Sequence, residues 1–329
     1  MTTGMVGRQG VERMRRSVHI GVVTAWPELD WHSKQLLAAC ARRCRTAILD
    51  PAGLSAWVGP RGLTVTADRL PLSVDAVILA RGMGRGGDPD VQFEIYRTLE
   101  ESGVLVVNRL GALLRAQDKF RTSWLLARAG VPTPPAVVAQ APDDAEAALE
   151  DLGRRGEVVA KPVAGSLGDG VERVRSDRAG RAAVRSRVER EGAIYLQAYV
   201  AHPGRDLRAF VVGGEVRATI ERRAPPGEWR TNVALGGSSR AIACPDEVAA
   251  AALGAARALA LDYAGVDLVL GPDGPTVIEV NGNPSWQGIE EATGLDMADV
   301  IADHVLGRTM RRPRASVHAV PAWNGATNG

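Results

Sequence analysis

The chain is short of cysteine, of aromatic residues and of net charge, and each shortage excludes something. Three cysteines in 329 residues, Cys40, Cys44 and Cys244, are an odd number and too few for a disulfide framework. With no secretory hydrophobic segment, they point to a reducing cytoplasm. Cys40 and Cys44 stand four apart on an expected helix, but no second ligand pair lies nearby, so buried reduced thiols are expected in place of a metal pair. Aromatic residues make up 4% of the chain, and no basic stripe is interleaved with them. Forty basic against 38 acidic residues give a formal charge of +2, so neither nucleic acid nor an anionic membrane is an expected partner. There is no apolar run long enough to span a bilayer, and no internal repeat.

What is present is a 45% hydrophobic composition in a length that suggests two or three modules. Residues 1–17 carry scattered charges and glycines without an apolar core and read as a disordered extension, and 311–329 read as a flexible tail. Between them, VHIGVVTA (18–25), a helical stretch around WHSKQLLAACARRC, strands near TAILD and VDAVILAR, a helix in DVQFEIYRTLEESG and a strand VLVVN ending at Asn108 alternate β with α. That alternation predicts a small open sheet with helices on its faces over residues 18–108. RGMGRGG offers Gly82, Gly84 and Gly87 in GxGxxG spacing, but it follows a later strand, and no acidic residue closes the next one. A dinucleotide site fails on that context. A flexible loop facing a substrate cleft, with Arg81 and Arg85 as anion contacts, and a plain solvated turn both remain.

A single helix is expected through RLGALLRAQDKFRTSWLLARAG, closed by Gly130, with Lys119 inside it. EVVAKPVAGSLGDGV then places Lys161 in a β-branched strand, followed directly by a loop containing Gly165, Gly168 and Gly170. A lysine feeding a glycine loop suits phosphate, because the ammonium supplies charge and unhindered backbone N–H groups approach the oxygens. The spacing is not that of a Walker loop, and a hairpin with a surface lysine is the alternative. RDLRAFVVGGEVRATIERR reads as a hairpin turning at Gly213 and Gly214, with Asp206, Arg208, Arg222 and Arg223 near its ends, and WRTN adds Arg230 and Asn232. These arginines are either solvated charges or convergent contacts for a triphosphate and a carboxylate.

GVDLVLGPDGPTVIEVNGNP reads as a second hairpin. With its midpoint at Asp273, Asp267 faces Glu279, and like charges so placed repel unless a cation lies between them or arginines neutralise them. Asn281, two residues on, projects to the same side and adds a third oxygen. Mg²⁺ suits such a set, since it binds through one or two carboxylates and completes its shell with water and nucleotide phosphates.

In order along residues 105–306 stand the helix with DK, the VAKP strand and glycine loop, QAYV, DLR, IERR, RTN, GVD, and EVN followed by NP. This ordered set resembles an ATP-grasp ligase, specifically the RimK-like α-L-glutamate ligase group. The resemblance implies an α/β and α+β protein: an open β/α pre-ATP-grasp module over 18–108, then a two-subdomain ATP-grasp fold over 109–310. It implies Lys119 and Lys161 on nucleotide phosphates beneath the 165–170 loop, and a hinge of Gln197, Tyr199 and Val200 whose backbone holds adenine. Asp206 would lie near the ribose. Asp267, Glu279 and Asn281 would bind Mg²⁺, with Mn²⁺ as an alternative ion, while Arg230, Asn232 and Arg222 would serve the transferred phosphoryl group or the substrate. The match has gaps: Ala198 stands where the group commonly has glutamate, and Leu235 where it often has arginine.

The implied chemistry is ATP-dependent joining of L-glutamate to an acceptor carboxylate through an acyl phosphate, releasing ADP. Candidate acceptors are a pterin-type cofactor such as tetrahydromethanopterin, a ribosomal protein C-terminus or a small peptide. The RGMGRGG loop and NGNPSW look closer to the pterin-cofactor ligases. Trp286 is either core packing or a stacking face for a flat acceptor ring. A homo-oligomer is in keeping with the group. The competing class is a nucleotide-binding protein of the same fold without turnover.

Overall fold

The computed structural model describes residues 18–60, 62–154, 156–163, 170–231 and 236–312. These fall into two compact units, one comprising the described residues through Leu110 and those from Asp296, the other Gly111–Leu295. The terminal segments expected to be disordered or flexible lie almost wholly outside the described residues.

The first unit opens with β1 (His19–Thr24), α1 (Trp31–Ala41) and β2 (Arg45–Leu49). A small antiparallel sheet follows, β3 (Leu54–Gly59), β4 (Gly62–Ala67) and β5 (Leu70–Pro71), then β6 (Ala76–Arg81), α2 (Pro89–Glu101) and β7 (Leu105–Val107). Strands β1, β2, β6 and β7 pair in the order β2-β1-β6-β7, all parallel, which is the open sheet the sequence predicts. The inner strands β1 and β6 are apolar and almost wholly buried, as strands covered on both faces must be.

In the second unit, α3 (Leu110–Gln117) and α4 (Lys119–Arg128) replace the single expected helix. The break has a local cause: Asp118 adopts an extended conformation and its side chain accepts from the Arg121 N–H, capping α4. Lys119 is therefore the first residue of a helix. Next come β8 (Ala136–Ala139), α5 (Pro142–Gly153), β9 (Val158–Lys161), β10 (Glu172–Val174), α6 (Arg178–Glu191) and β11 (Ile194–Ala198). Their strands form a sheet in the order β10-β9-β11-β8, packed on α5 and α6 through Ala145, Leu149, Leu152, Val184 and Val188. A second sheet, β14-β13-β12-β15-β16, is built from β12 (Arg205–Val212), β13 (Glu215–Arg223), β14 (Ser238–Ala241), β15 (Tyr263–Gly271) and β16 (Gly274–Asn281). Helix α7 (Asp246–Leu259) packs on β15 and β16, and α8 (Gln287–Thr293) packs on β13 and β14.

The last helix, α9 (Met297–Met310), groups with the first unit, whereas the sequence reading kept it with residues 109–310. It packs on α1, and two adjacent arginines fix the contact: Arg43 donates to Asp299 at 2.8 Å and to Asp303 at 2.8 Å, and Arg42 also pairs with Asp299. No helix among the described residues is long and apolar enough to cross a membrane.

Candidate active site

The hairpin β15–β16 sets the site. Its tip pairs Gly271 with Gly274, so the turn centres between Pro272 and Asp273, half a residue from the expected midpoint. Carried down a regular ladder, that register would put Ile278 opposite Asp267. A bulge between Asp267 and Leu268 in the pairing inserts one residue on β16, and Asp267 faces Glu279 after all. The same row continues onto β12, where Arg208 pairs with Asp267, so Arg208, Asp267 and Glu279 lie side by side across three strands. Asn281 lies opposite Gly265.

Asp267, Glu279 and Asn281 line one cavity of about 500 Å³ with Lys119, Lys161, Gln197, Tyr199, Val200, Asp206, Arg222 and Arg230. Its walls come from both sheets of the second unit, a size and placement suited to a small-molecule site. Strand β15 gives the site a direction. At one end the glycine at 271 sits against Val200, where a Cβ would come within 3.0 Å of its Cγ1. At the other, Gly265 abuts Pro284, whose Cβ would lie 2.8 Å from a Cβ there, and Arg208 Nε is 3.8 Å away. The acidic pair stands between the hinge end and the Gly265 end.

Lys161 projects from the end of β9 and donates to Gln197 Oε1 at 2.7 Å, with its ammonium 5.9 Å from the Tyr195 ring centroid. Gln197 Nε2 in turn donates to Tyr195 Oη at 3.1 Å, which shares a 2.7 Å hydrogen bond with Ser123. Burial pushes the Lys161 amine down to about 8, with Lys119 adding to the effect, while Glu279 and Asp267 oppose it. Lys119 is lowered by burial as well, and Glu279 and Asp118 oppose that. Both lysines thus sense Glu279, although no sequence spacing relates them to it. The network of Ser123, Tyr195 and Gln197 was not foreseen. The QAYV stretch suggested only a hinge, yet the Gln197 side chain is buried and holds Lys161.

Four charged side chains interlock beside the lysines. Arg208 donates from Nε to Asp267 Oδ1 and from Nη2 to Oδ2, each at 2.7 Å. Arg222 grips Asp206 with Nε to Oδ1 at 2.8 Å and Nη2 to Oδ2 at 2.5 Å, and reaches Asp267 Oδ2 at 3.1 Å. Burial alone would raise the Asp267 carboxyl, but the two guanidiniums hold it below the usual carboxylate range. The arginine neutralisation of the acid pair, left open by the sequence, is thus present at Asp267. Glu279 makes no hydrogen bond or ion pair with another described residue, and Asn281 Nδ2 is buried without a hydrogen-bond partner among them. Two carboxylates and an amide are hard donors of the kind Mg²⁺ takes.

Arg230 lines the cavity and pairs with Glu228, Nη2 to Oε2 at 2.8 Å, and that hydrogen bonding drives the Glu228 carboxyl down to about 2. Tyr199 meets Trp229 edge to face at 5.8 Å, and the Arg173 guanidinium lies over both rings, 5.2 Å from Tyr199 and 5.3 Å from Trp229. Gly170 is exposed and adopts φ +64°, whereas Gly165, Gly168 and Asn232 lie outside the described residues.

Two alternatives left open by the sequence are decided by the fold. Arg223 does not join Arg208 and Arg222: strand alternation turns it to the other face of β13, where it shares Glu221 with Arg205 and Arg240. Trp286 is not a wall of the cavity. It is 4% exposed and packs edge-on to Phe210 at 6.4 Å, so it is a core residue. In the first unit, Arg85 stacks over Trp26 at 5.9 Å and Arg81 lies 4.0 Å from Asp30, which accounts for two cations of the RGMGRGG loop without a dinucleotide.

Residues 116–305 match the family described as RimK-like ATP-grasp domain. The chain is 33% identical over 322 residues to the tetrahydromethanopterin:alpha-L-glutamate ligase of Methanosarcina acetivorans, covering 87% of this chain and 98% of the relative. It is 35% identical over 224 residues to a probable alpha-L-glutamate ligase of Methanococcoides burtonii, covering 66% of this chain and 74% of that one. Its fold is shared with the ATP-grasp ligase PsnB, solved with a minimal precursor, Mg and ADP, at a TM-score of 0.68 and 21% identity over 89% of this chain and 98% of that one. The ordered motifs, the two-sheet cavity and these relationships agree, and the chain belongs to the RimK-like ATP-grasp family of carboxylate–amine ligases.

Proposed function

We propose that the protein uses ATP and Mg²⁺ to join the amine of L-glutamate to an acceptor carboxylate through an acyl phosphate, with ADP and phosphate released. The observation that carries this reading is the convergence of Lys119 and Lys161 with the opposed pair Asp267–Glu279 and with Asn281 in one cavity. A carboxylate is a poor electrophile. One of its oxygens attacks the γ-phosphorus as ADP departs, and the glutamate nitrogen then attacks the acyl carbon as phosphate leaves. Lys119 and Lys161 spread the charge on the phosphates, and Arg230 and Arg222, with Asn232, serve the transferring group. Glu279, Asn281 and Asp267 would hold Mg²⁺, which neutralises phosphate charge when bound. The 165–170 loop, ending at Gly170, would cover the phosphates and keep water from the acyl phosphate.

At the hinge, the Ala198 and Tyr199 N–H groups are already committed to the Pro135 and Glu157 carbonyls. That leaves the Val200 N–H as the adenine donor, with Tyr199 beside the ring. Asp206 lines the same cavity, with its oxygens bound to Arg222. The acceptor in this reading is a pterin-type cofactor such as tetrahydromethanopterin, supported by the likeness to a tetrahydromethanopterin ligase along most of the chain. Trp286 lends it no support.

The test is isotopic. With ¹⁸O in the acceptor carboxylate, one labelled oxygen per turnover should appear in inorganic phosphate, with ADP as the nucleotide product. Label retained wholly in the acceptor, or AMP as product, would rule out the acyl phosphate.

A further inference from the structure

Asp267 is asked to do two competing things. A carboxylate offers about four lone-pair positions. Three are taken here, two by Arg208 and one by Arg222. A divalent cation at Asp267 would compete for the same oxygens and would be repelled by any guanidinium still on them. One position stays open, but a cation there meets two guanidinium charges that cannot be lost by deprotonation, so its binding favours displacing one of them.

The two are not equally free. Arg222 keeps a bidentate anchor on Asp206 whatever happens at Asp267, and it is 5% exposed. Among the described residues, Arg208 has Asp267 as its sole ion-pair partner. Its backbone is level with Asp267, but its Nε reaches towards Gly265, 3.8 Å from where a Cβ there would stand, and so away from the Gly271–Val200 contact beside the segment proposed for adenine. A guanidinium displaced from Asp267 on that side would lie beyond the phosphates, where a carboxylate is to be activated or bound.

We propose that Arg208 is a caged carboxylate anchor. Asp267 holds it in the ligand-free protein, and loading of Asp267 with a divalent cation releases its planar fork to a substrate carboxylate, which it can bind with the same bidentate geometry. Carboxylate binding is then contingent on the metal, and by linkage the carboxylate tightens the metal–nucleotide complex in equal measure. The inference rests on the ligase reading above.

The experiment is titration calorimetry with ADP present throughout, in EDTA or in excess Mg²⁺, with L-glutamate and glutarate as separate ligands. At least one should bind wild type at least tenfold more tightly with Mg²⁺. Glutarate alone responding assigns Arg208 to the acceptor side, and L-glutamate alone to the amino-acid side. Arg208→Gln should abolish the metal dependence of that ligand while Mg·ADP binds no more weakly than to wild type. Asp267→Asn should raise carboxylate affinity in EDTA towards the wild-type Mg²⁺ value, because the neutral amide frees Arg208. Arg208→Lys, which keeps the charge, guards against a folding defect and should retain part of the response. Equal affinities with and without Mg²⁺ in wild type, no carboxylate binding with Mg·ADP bound, or an Arg208→Gln protein that keeps the metal dependence would overturn the cage alone. Failure of wild type to bind Mg·ADP would instead remove the ligase reading beneath it.

Discussion

Replacing Lys161 with methionine should make the ligand-free protein no less stable at neutral pH while weakening nucleotide binding. The folded protein holds this amine at about 8 against an ordinary 10.5. At about 1.4 kcal/mol for each tenfold, keeping it charged costs about 3 kcal/mol. Methionine removes that cost but leaves Gln197 Oε1 without its 2.7 Å donor, a loss of roughly 1–3 kcal/mol. The difference is a variant about 0–2 kcal/mol more stable at pH 7. The pH dependence has a definite sign. Because the amine is depressed in the folded state, its contribution to stability is complete above about 10.5 and is lost as the pH falls to about 8. Wild type should therefore gain on the variant between those values, and at pH 10.5 it should be the more stable of the two through the Gln197 hydrogen bond. Urea unfolding at pH 7 and pH 10.5 reads both ends. Calorimetry with ATP should show an affinity loss of about 1.5–3 kcal/mol, roughly 10- to 150-fold. A variant clearly less stable than wild type at pH 7, or one with unchanged nucleotide affinity, would return Lys161 to an ordinary structural lysine.

Glu279→Gln should abolish ligation with the fold intact by circular dichroism. It should also push Lys161 further down, since Glu279 is the group that most opposes its depression, and a pH series of ATP affinity reads that shift. Full turnover at saturating Mg²⁺ would remove Glu279 from the metal set. Arg222→Met leaves Asp206 without its bidentate partner inside the protein, and thermal or urea unfolding should show a loss of about 3–5 kcal/mol. A loss under about 1 kcal/mol would mean that Asp206 is already hydrated. Trp286→Ala should cost about 3–5 kcal/mol of stability, while the ratio of catalytic efficiencies between acceptors stays at the wild-type value; a selective loss with a pterin-type acceptor would contradict its assignment to the core.

Much of the site was legible in the sequence where the signal was local. The opposed carboxylates follow from hairpin pairing, although the midpoint assumed at Asp273 was half a residue out and a bulge on β16 restored the expected partner. Capping was equally local, and Asp118 could have been read as the break that makes Lys119 the first residue of α4. The β3–β4 hairpin was equally local, since Gly59 and Gly62, which pair at its tip, are followed by the alternating TVTA. Contacts between distant segments were not legible. Nothing in QAYV says that Gln197 reaches Lys161, or that Ser123 completes the chain through Tyr195. The four arginines looked equivalent along the chain, and only the strand register sends Arg223 to one face and Arg208 and Arg222 to the other. The place of α9 beside α1 depends on ion pairs across more than 250 residues of sequence, beyond the reach of any periodicity.

The central claim is that this cavity makes an amide from L-glutamate and a carboxylate. Mass spectrometry of products from purified protein with ATP, Mg²⁺, L-glutamate and a panel of acceptors, comprising a tetrahydromethanopterin-type cofactor, a short peptide and a protein C-terminus, tests it most directly. The account predicts an acceptor extended by a glutamyl residue, with ADP formed in step and no product when Mg²⁺ or L-glutamate is omitted. ADP release without any glutamylated acceptor, or extension by a different amine, would contradict it.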